Sequence, residues 1–548
     1  MQLLCDGTVF MGWAACVAML LGAKASAADN AAEISTHWQV RSLPVAMTAC
    51  DGDAAACGDA RTGSHGSAGI ASGPVRALID EHLGRIAAID ASGPALHSVI
   101  EVNPDARAIA DALDRSNAPH GPLFGVPVLI KDNIDTADRM LTTAGSLALV
   151  DSKPTRDAFI VGRLRDSGAV ILGKTNLSEW ANFRSTRSVS GWSGRGGQTR
   201  NPYALNRSPC GSSSGSAAAV AAGLAVVAVG TETDGSIVCP ASMNGLVGIK
   251  PTVGLVSRAG IIPLSASQDT AGPMARTVAD AAALLTVLAA YDPQDPATAP
   301  MKDHSPIDYG GFLDANSLAG ARVGVMRHDA GFHEKVDAAF ERALGVLRSR
   351  GAVLVDPVDI PNADKLDADE WIVFQFEFKA GINRYLQARV GSSPRTLAEL
   401  IRFNEQHAAE EMPYFGQELF IQSNERGDLT DHLYVEAHER SRRLAGPEGI
   451  DAALAKNHLD VLIAPTIGPA WTTDLVNGDH ILGGRTSRLP AVAGYPHLTV
   501  PMGVVEGLPV GLSLIGPAWS EGRLISYAYA FEQATHARKP PEYRAAIP

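Results

Sequence analysis

The chain has 548 residues, of which 46% are hydrophobic and 19% charged, so it is long enough to bury a large core. Its net charge of −13 is spread along the sequence, without a Lys/Arg cluster that could neutralise a row of phosphates. We therefore expect a globular protein of enzyme size and no nucleic-acid partner.

The first 27 residues have the layout of a secretory signal peptide. An apolar run at 9–22 is followed by Lys24 and by Ala25-Ser26-Ala27-Ala28, a string of small residues typical of a cleavage site. The flank before the run is atypical, because it contains Asp6 and no basic residue, so a retained apolar helix is the alternative. The run is too short to span a bilayer comfortably. We expect a periplasmic or secreted protein that has no membrane contact after cleavage.

Residues 28–73 are rich in Ala, Gly, Ser and Asp, which indicates an extended or poorly ordered leader. Cys50 and Cys57 lie in this leader, and their sequence context does not decide whether they form a disulfide. Cys210 and Cys239 come much later, and the default interpretation for them is buried thiols. No Cys or His spacing indicates a metal site, and no cofactor is expected.

A folded domain is predicted over residues 74–540. Apolar residues recur at helical spacing from Val75, and Asn103-Pro104 is typical of the cap and first residue of a second helix. Short apolar runs then alternate with helical patterns, which predicts an α/β fold with buried strands. The predicted strands are 126–130, 169–172, 224–229, 321–325, 461–464, 498–500 and 510–515. The predicted helices after the second are 158–167, 216–222, 278–290, 335–350 and 524–534. Residues 360–446 are helical and aromatic in pattern, and we expect a cap or insertion there that shapes a substrate site.

Two turns place serine beside glycine. Residues 210–216, Cys-Gly-Ser-Ser-Ser-Gly-Ser, run directly into an Ala-rich helix, so this loop can approach a ligand closely and present backbone donors. Residues 230–237, Gly-Thr-Glu-Thr-Asp-Gly-Ser-Ile, follow a predicted strand and offer successive N–H groups next to the Ser236 hydroxyl. Such a turn can form an oxyanion hole beside a nucleophile.

Lys131 directly follows the apolar run 126–130, at the carboxyl end of a predicted strand. Ligands bind at that end of the strands in α/β sheets, so this amine is a candidate for partial burial. Burial lowers the pKa of a lysine and can make it a base at neutral pH. Taken alone, the residue has a simpler interpretation as a surface lysine at a strand end.

Together these three stretches resemble the signature of the amidase signature family. The lysine segment 125–133, the loop 210–216 and the turn 230–237 occur in the family's order, and the similarity continues through 168–176, 248–252 and 269–274. It extends over about residues 74 to 535. The resemblance implies an α/β fold with a single large amidase-signature domain, whose mixed β-sheet core is covered by helices on both faces.

Carried over residue by residue, the resemblance implies that Ser236 is the nucleophile of an amidase, that Ser212 bridges next to a cis peptide bond, and that Lys131 is the base. A serine hydroxyl is a weak nucleophile at neutral pH and needs such a base. Neutral Lys131 would take the proton of Ser212 while Ser212 takes that of Ser236. The expected oxyanion donors are the N–H groups of Thr233, Asp234, Gly235 and Ser236.

The chain departs from the family pattern at Cys210, Ser214, Glu232, Asp234 and Val238. Asp tolerates unusual backbone angles, so we expect the turn to keep its conformation with Asp234 in place of glycine. We also expect the Asp234 carboxylate to restrict which substrates are accepted. The variant strings 208–216 and 231–240 look like those of the peptide amidases, which hydrolyse the C-terminal carboxamide of peptides. The resemblance therefore implies a peptide or other small amide as substrate, with water as the second reactant.

Several other functions fit parts of the pattern. A broad aliphatic or aryl amidase and the glutaminase subunit of the tRNA-dependent amidotransferase are alternatives within the family. Residues 211–215 also fit the Gly-x-Ser-x-Gly elbow of esterases with Ser213 as nucleophile, but that elbow needs a strand immediately before it. We expect Ser213 instead to belong with Thr233, Asp234 and Gly235 to the oxyanion and substrate-binding group, as a structural hydroxyl that orients its neighbours. His97, His120 and His497 are expected to be surface or packing residues. An inactive binding scaffold is the non-enzyme alternative.

Overall fold

A computed structural model describes residues 74–547, except 118–119, 304–306 and 485. The predicted signal peptide, the leader, Cys50 and Cys57 lie outside the described residues. The first described helix begins at Val75, as the apolar spacing predicts.

The centre of the domain is one mixed sheet of 11 strands in the order β1-β4-β2-β7-β9-β8-β14-β15-β13-β10-β11. Strands β4, β2 and β7 run parallel to one another, as do β13, β10 and β11, and the remaining neighbours are antiparallel. The strands are β1 (Val99–Val102), β2 (Pro127–Lys131), β3 (Ser152–Lys153), β4 (Val170–Thr175), β5 (Trp192–Ser193), β6 (Gly197–Gln198), β7 (Val227–Glu232), β8 (Val247–Lys250), β9 (Thr270–Ala275), β10 (Arg322–Val325), β11 (Val353–Val355), β12 (Val390–Gly391), β13 (Val461–Pro465), β14 (His497–Val505) and β15 (Leu508–Ile515).

Helices cover this sheet, which confirms the predicted fold class. They are α1 (Val75–Arg85), α2 (Ala106–Asp114), α3 (Phe159–Asp166), α4 (Ser214–Ala221), α5 (Val238–Met243), α6 (Val278–Leu288), α7 (Glu334–Ser349), α8 (Asp367–Ala388), α9 (Leu397–Gln406), α10 (Ala408–Glu411), α11 (Glu418–Asn424), α12 (His432–Ala445), α13 (Ala452–Asn457), α14 (Arg488–Ala493) and α15 (Glu521–Thr535). No helix among the described residues is long and apolar enough to cross a membrane.

Most predicted elements lie within about two residues of their observed bounds, but the strand predicted at 224–229 is observed at Val227–Glu232 and the strand predicted at 498–500 at His497–Val505. The start of the second helix also differs, by two residues. The helix begins at Ala106 and not at Pro104. The Asn103 side chain accepts a hydrogen bond from the N–H of Asp105 at 2.9 Å, which forms a local turn before the helix.

The segment 360–446 is largely helical and contains α8 to α12. Its apolar side chains pack against the loop after β4, and the shared cluster includes Phe183, Phe374 and Phe378. This packing brings α8 next to the turn that follows β7, where the two serine motifs meet.

Candidate active site

Lys131 is the last residue of β2 and is fully buried. Its parallel neighbour β7 ends at Glu232, so the carboxyl ends of both strands meet at one edge of the sheet. The Lys131 amine lies 2.7 Å from the Ser212 hydroxyl oxygen. Burial lowers the pKa of Lys131 to about 7, although the charges of Asp269 and Glu232 oppose this shift. A surface lysine is therefore excluded, and the amine can be neutral near pH 7.

Two further contacts orient the Lys131 amine. It donates to the carbonyl oxygen of Thr231 at 3.2 Å and to the Thr231 hydroxyl at 2.9 Å. The Asn133 side chain donates to the same hydroxyl at 3.0 Å, which holds the threonine in place. With both N–H groups of a neutral amine bound to Thr231, its lone pair is left to face Ser212.

The loop before α4 presents Ser212. The Gly211–Ser212 peptide bond is cis, as the family resemblance implies, and Cys210 has a left-handed backbone with φ of 57°. A side chain at position 211 would collide with the Ser178 hydroxyl at 2.1 Å, so the loop requires glycine there. The Ser212 carbonyl oxygen accepts a hydrogen bond from the N–H of Ser178 at 3.1 Å.

The turn after β7 presents Ser236, which is 8% exposed. The left-handed position of this turn is Gly235, with φ of 77°, so Asp234 replaces a family glycine at a site that does not need positive φ. Within the part of the chain that the structure describes, the N–H groups of residues 233–236 have no protein acceptor. They are available to an oxyanion.

Glu232, which the sequence analysis noted only as a departure from the family pattern, stabilises the turn that carries Ser236. Its buried carboxylate accepts the N–H groups of Ile237 at 2.6 Å and Val238 at 3.0 Å, at the start of α5. A carboxylate at a helix N-terminus satisfies donors that the helix cannot pair itself. Position 232 is therefore a cap, and its only sequence signal was an acid immediately before the Thr-Asp-Gly-Ser turn.

Ser213 lies away from the substrate cavity and is fully buried. Its hydroxyl donates to the Thr231 carbonyl oxygen at 3.0 Å and accepts the Thr231 N–H at 3.1 Å. Its N–H donates to the Ser236 carbonyl oxygen at 3.2 Å. Ser213 therefore holds the two serine segments together, and this geometry gives it a structural role and no substrate contact.

Among the described contacts, no hydrogen bond joins the Ser212 and Ser236 hydroxyls directly. Such catalytic contacts are often long before substrate binds.

Cys210 and Cys239 form a disulfide with a Cα–Cα distance of 6.0 Å, which corrects the expectation of buried thiols. Cys210 lies two residues before Ser212, and Cys239 lies three residues after Ser236. The disulfide therefore ties the loop that carries one serine to the helix that follows the other. Spacing along the sequence did not reveal the pair, because the contact depends on how the two loops fold together.

A cavity of about 260 Å³ opens in front of Ser236. One wall is aromatic: Phe183 lies 6.0 Å from Trp371 and 5.8 Å from Phe374, measured between ring centroids. Trp371 and Phe374 come from α8, so the helical segment 360–446 contributes to the cavity wall. The lining residues also include the polar groups Asn182, Thr233, Asp234, Glu370, Thr466, Asp479 and Arg488.

The structure does not support the esterase alternative. The residues before Gly211 form loops, without the strand that a nucleophile elbow requires. His497 is buried and contacts Ser513, which is not one of the motif serines.

No group of His, Cys, Asp and Glu side chains among the described residues could hold a metal ion.

Comparisons with known proteins match this chain to amidases. The family model Amidase matches residues 77–525. The crystal structure of the peptide amidase PAM with the competitive inhibitor chymostatin is 55% identical, has a TM-score of 0.83, and the match covers 85% of this chain and 95% of that one. The native peptide amidase of Stenotrophomonas maltophilia is 54% identical with a TM-score of 0.81, over 85% and 95% of the two chains. A probable amidase of Arabidopsis thaliana is 43% identical over 83% of this chain and 86% of the relative.

The family match covers most of the chain, and the buried lysine, the cis peptide bond and the Ser236 turn all lie within it. The chain therefore belongs to the Amidase family and is a hydrolase of that family.

Proposed function

We propose that this amidase removes ammonia from the C-terminal carboxamide of peptides through an acyl ester on Ser236. The observation that carries the catalytic part is the buried Lys131 amine, 2.7 Å from the Ser212 hydroxyl and with a pKa of about 7. The substrate part is supported by the likeness to peptide amidases at 55% and 54% identity.

The chemistry follows from the positions of the three side chains. Neutral Lys131 accepts the proton of Ser212 while Ser212 accepts that of Ser236, whose oxygen then attacks the carboxamide carbon. The negative oxygen that forms lies against the free N–H groups of residues 233–236. The proton returns through Ser212 to the amide nitrogen, ammonia leaves, and water attacks the acyl ester by the same relay to release the acid.

The cavity supports a substrate that ends at the carboxamide. Its volume of about 260 Å³ and its aromatic wall suit one apolar residue that carries the amide. Trp371 is 40% exposed at this wall, so the peptide can continue from the cavity towards the surface.

Product release from four substrates tests this function: ammonia from N-acetyl-leucyl-phenylalanine amide, from the same peptide as the free acid and from free glutamine, and p-nitroaniline from a p-nitroanilide. We expect rapid release from the peptide amide, conversion to the free acid by mass spectrometry, and an intact internal Leu–Phe bond. Faster turnover of glutamine or of the anilide would favour one of the other amidase activities. Cleavage of the internal bond would contradict the proposal.

We also propose that the enzyme acts outside the cytoplasm. The N-terminal sequence supports export, and the Cys210–Cys239 disulfide is a bond that persists in oxidising compartments. Fractionation of the native host, followed by N-terminal sequencing, should recover the enzyme in the periplasm or medium with its first residues removed. Recovery of the full-length chain in the cytoplasm would contradict this.

A further inference from the structure

Three carboxylates line the cavity in front of Ser236, and two of them have partners inside the protein. Glu370 accepts hydrogen bonds from Gln268 at 2.9 Å and from Arg488 at 3.0 Å. Asp479 accepts from the Ser190 hydroxyl at 2.5 Å and from the indole of Trp471 at 3.2 Å. These two side chains are therefore satisfied before any substrate enters.

The third carboxylate, that of Asp234, has no such partner. Its Oδ1 atom is buried without a hydrogen-bond donor, and no ion pair within 4.0 Å involves this residue in the described part of the chain. The Arg488 guanidinium, a cation among the residues that line this cavity, forms its ion pairs with Asp367 and Glu370, and the Asp234 charge acts on it only from beyond 4.0 Å. A buried acceptor left unsatisfied in a binding cavity calls for a donor from outside the protein.

The position of Asp234 in the turn indicates which part of a substrate it faces. It lies two residues before Ser236, and its own N–H belongs to the set available to the oxyanion. The leaving nitrogen must lie towards Ser212 and Lys131, because its proton comes from there. The Asp234 side chain borders the cavity with Glu370 and Arg488, which are not part of the relay from Lys131 through Ser212, so it is available to the acyl part of a substrate.

We propose that Asp234 determines specificity by accepting a hydrogen bond from the peptide N–H on the carbon next to the carboxamide. This inference rests on the proposed function and deepens it. A simple aliphatic amide has no nitrogen at that carbon, whereas the last residue of every peptide amide has one. Asp234 would thus distinguish the end of a peptide from other primary amides of the same shape.

The test compares three substrates that share a 4-methylpentanamide part and differ in what the carbon next to the carboxamide carries. N-acetyl-leucinamide has a peptide N–H there, leucinamide has an ammonium group, and 4-methylpentanamide has no second nitrogen. We expect the wild-type enzyme to have a higher kcat/KM for N-acetyl-leucinamide than for 4-methylpentanamide. In Asp234→Ala this preference should fall by about 10- to 100-fold, the range for a hydrogen bond to a charged group. Turnover of 4-methylpentanamide, which offers no donor to the carboxylate, is the reference against which the loss on N-acetyl-leucinamide is measured.

Asp234→Asn keeps a side-chain acceptor with almost the same shape, so we expect it to retain more of the preference than Asp234→Ala. Labelling of Ser236 by a fluorophosphonate should be retained in both variants. An unchanged preference in both variants, or an equal loss on all three substrates, would overturn the inference. A loss confined to leucinamide would show that an ammonium group is bound, and would overturn the assignment to the peptide N–H. If the wild type has no preference for N-acetyl-leucinamide, the proposed substrate class fails as well, whereas a preference that survives in both variants refutes only the role of Asp234.

Discussion

At the scale of single residues, the chemistry depends on an amine that is buried and still able to accept a proton. Lys131 is one of three fully buried lysines, with Lys174 and Lys250, among the described residues. Of these, Lys131 contacts the Ser212 hydroxyl, whereas Lys174 contacts the Ile134 carbonyl oxygen and the Thr142 hydroxyl. Burial alone therefore does not single out a candidate base, and the proposal of Lys131 rests on its contact with the Ser212 hydroxyl.

Replacing Lys131 by alanine should lower kcat by about 10³-fold or more, because the relay loses its proton acceptor. Lys174→Met is a matched control: it also removes a buried lysine amine, and we expect it to lower stability but to leave kcat per folded molecule near the wild-type value. Ammonia-release kinetics with circular dichroism on both variants provide the check. Near wild-type turnover by Lys131→Ala would refute its role as the base.

The pH dependence of kcat/KM should follow the Lys131 amine. Its pKa is lowered to about 7 by burial, and the relay needs the neutral form, so activity is present above that pH and is lost below it. We expect a fall of about tenfold per pH unit on the acid side. A profile that stays flat from pH 8 to pH 5, with the enzyme still folded, would show that this amine does not titrate in the rate-determining relay.

At the scale of elements, the disulfide joins the Ser212 loop to α5 across 29 residues of chain. Closing a loop of that size typically stabilises a fold by about 2–4 kcal/mol. The double variant Cys210→Ala/Cys239→Ala should therefore unfold at a lower temperature and react more slowly with a fluorophosphonate, because the two serine segments lose their covalent link. A reductant should shift the wild type towards the variant and leave the variant unchanged. Equal melting temperatures and labelling rates for the wild type and the double variant would show that the disulfide does not stabilise the site.

The sequence allowed the elements around the site to be predicted well. Strands β2 and β7 and helix α4 were found because apolar runs and an Ala-rich segment mark them. The serine motifs adjoin α4 and β7, and β2 ends at Lys131. Strands β8 and β9 were not assigned, although their residues were noted in the resemblance, since Gly248, Gly272 and Pro273 interrupt the usual strand pattern. The disulfide escaped prediction because its cysteines are 29 residues apart and meet only when the two loops fold together. The Glu232 cap is a local contact with Ile237 and Val238, but it depends on the exact path of the turn between them, which the sequence pattern does not specify.

At the scale of the whole molecule, the site is made by two parts of the chain. The sheet edge supplies Lys131 and the serine turns, and helix α8, more than 130 residues after Ser236, supplies the aromatic wall. Sequence composition indicated that 360–446 is helical, but it could not show which side chains enter the cavity, since that depends on the packing of α8 against the loop that contains Phe183.

Trp371→Ala should raise KM for peptide amides by about tenfold with little change in kcat, because the indole lines the cavity without reaching the relay. Trp519→Ala is the matched control: Trp519 is similarly exposed, at 43% against 40%, but is not among the residues that line this cavity. Steady-state kinetics on both variants measure KM and kcat separately. A fall in kcat for Trp371→Ala with unchanged KM would contradict a role in uniform substrate binding.

The most direct test of the whole account is to locate the covalent adduct formed by a fluorophosphonate, using peptide mass spectrometry of the wild type and of Lys131→Ala. The relay from Lys131 through Ser212 predicts one adduct, on Ser236, and a labelling rate that falls sharply in the variant. An adduct on Ser213 or on any other side chain, or labelling of Ser236 at an undiminished rate without Lys131, would contradict it.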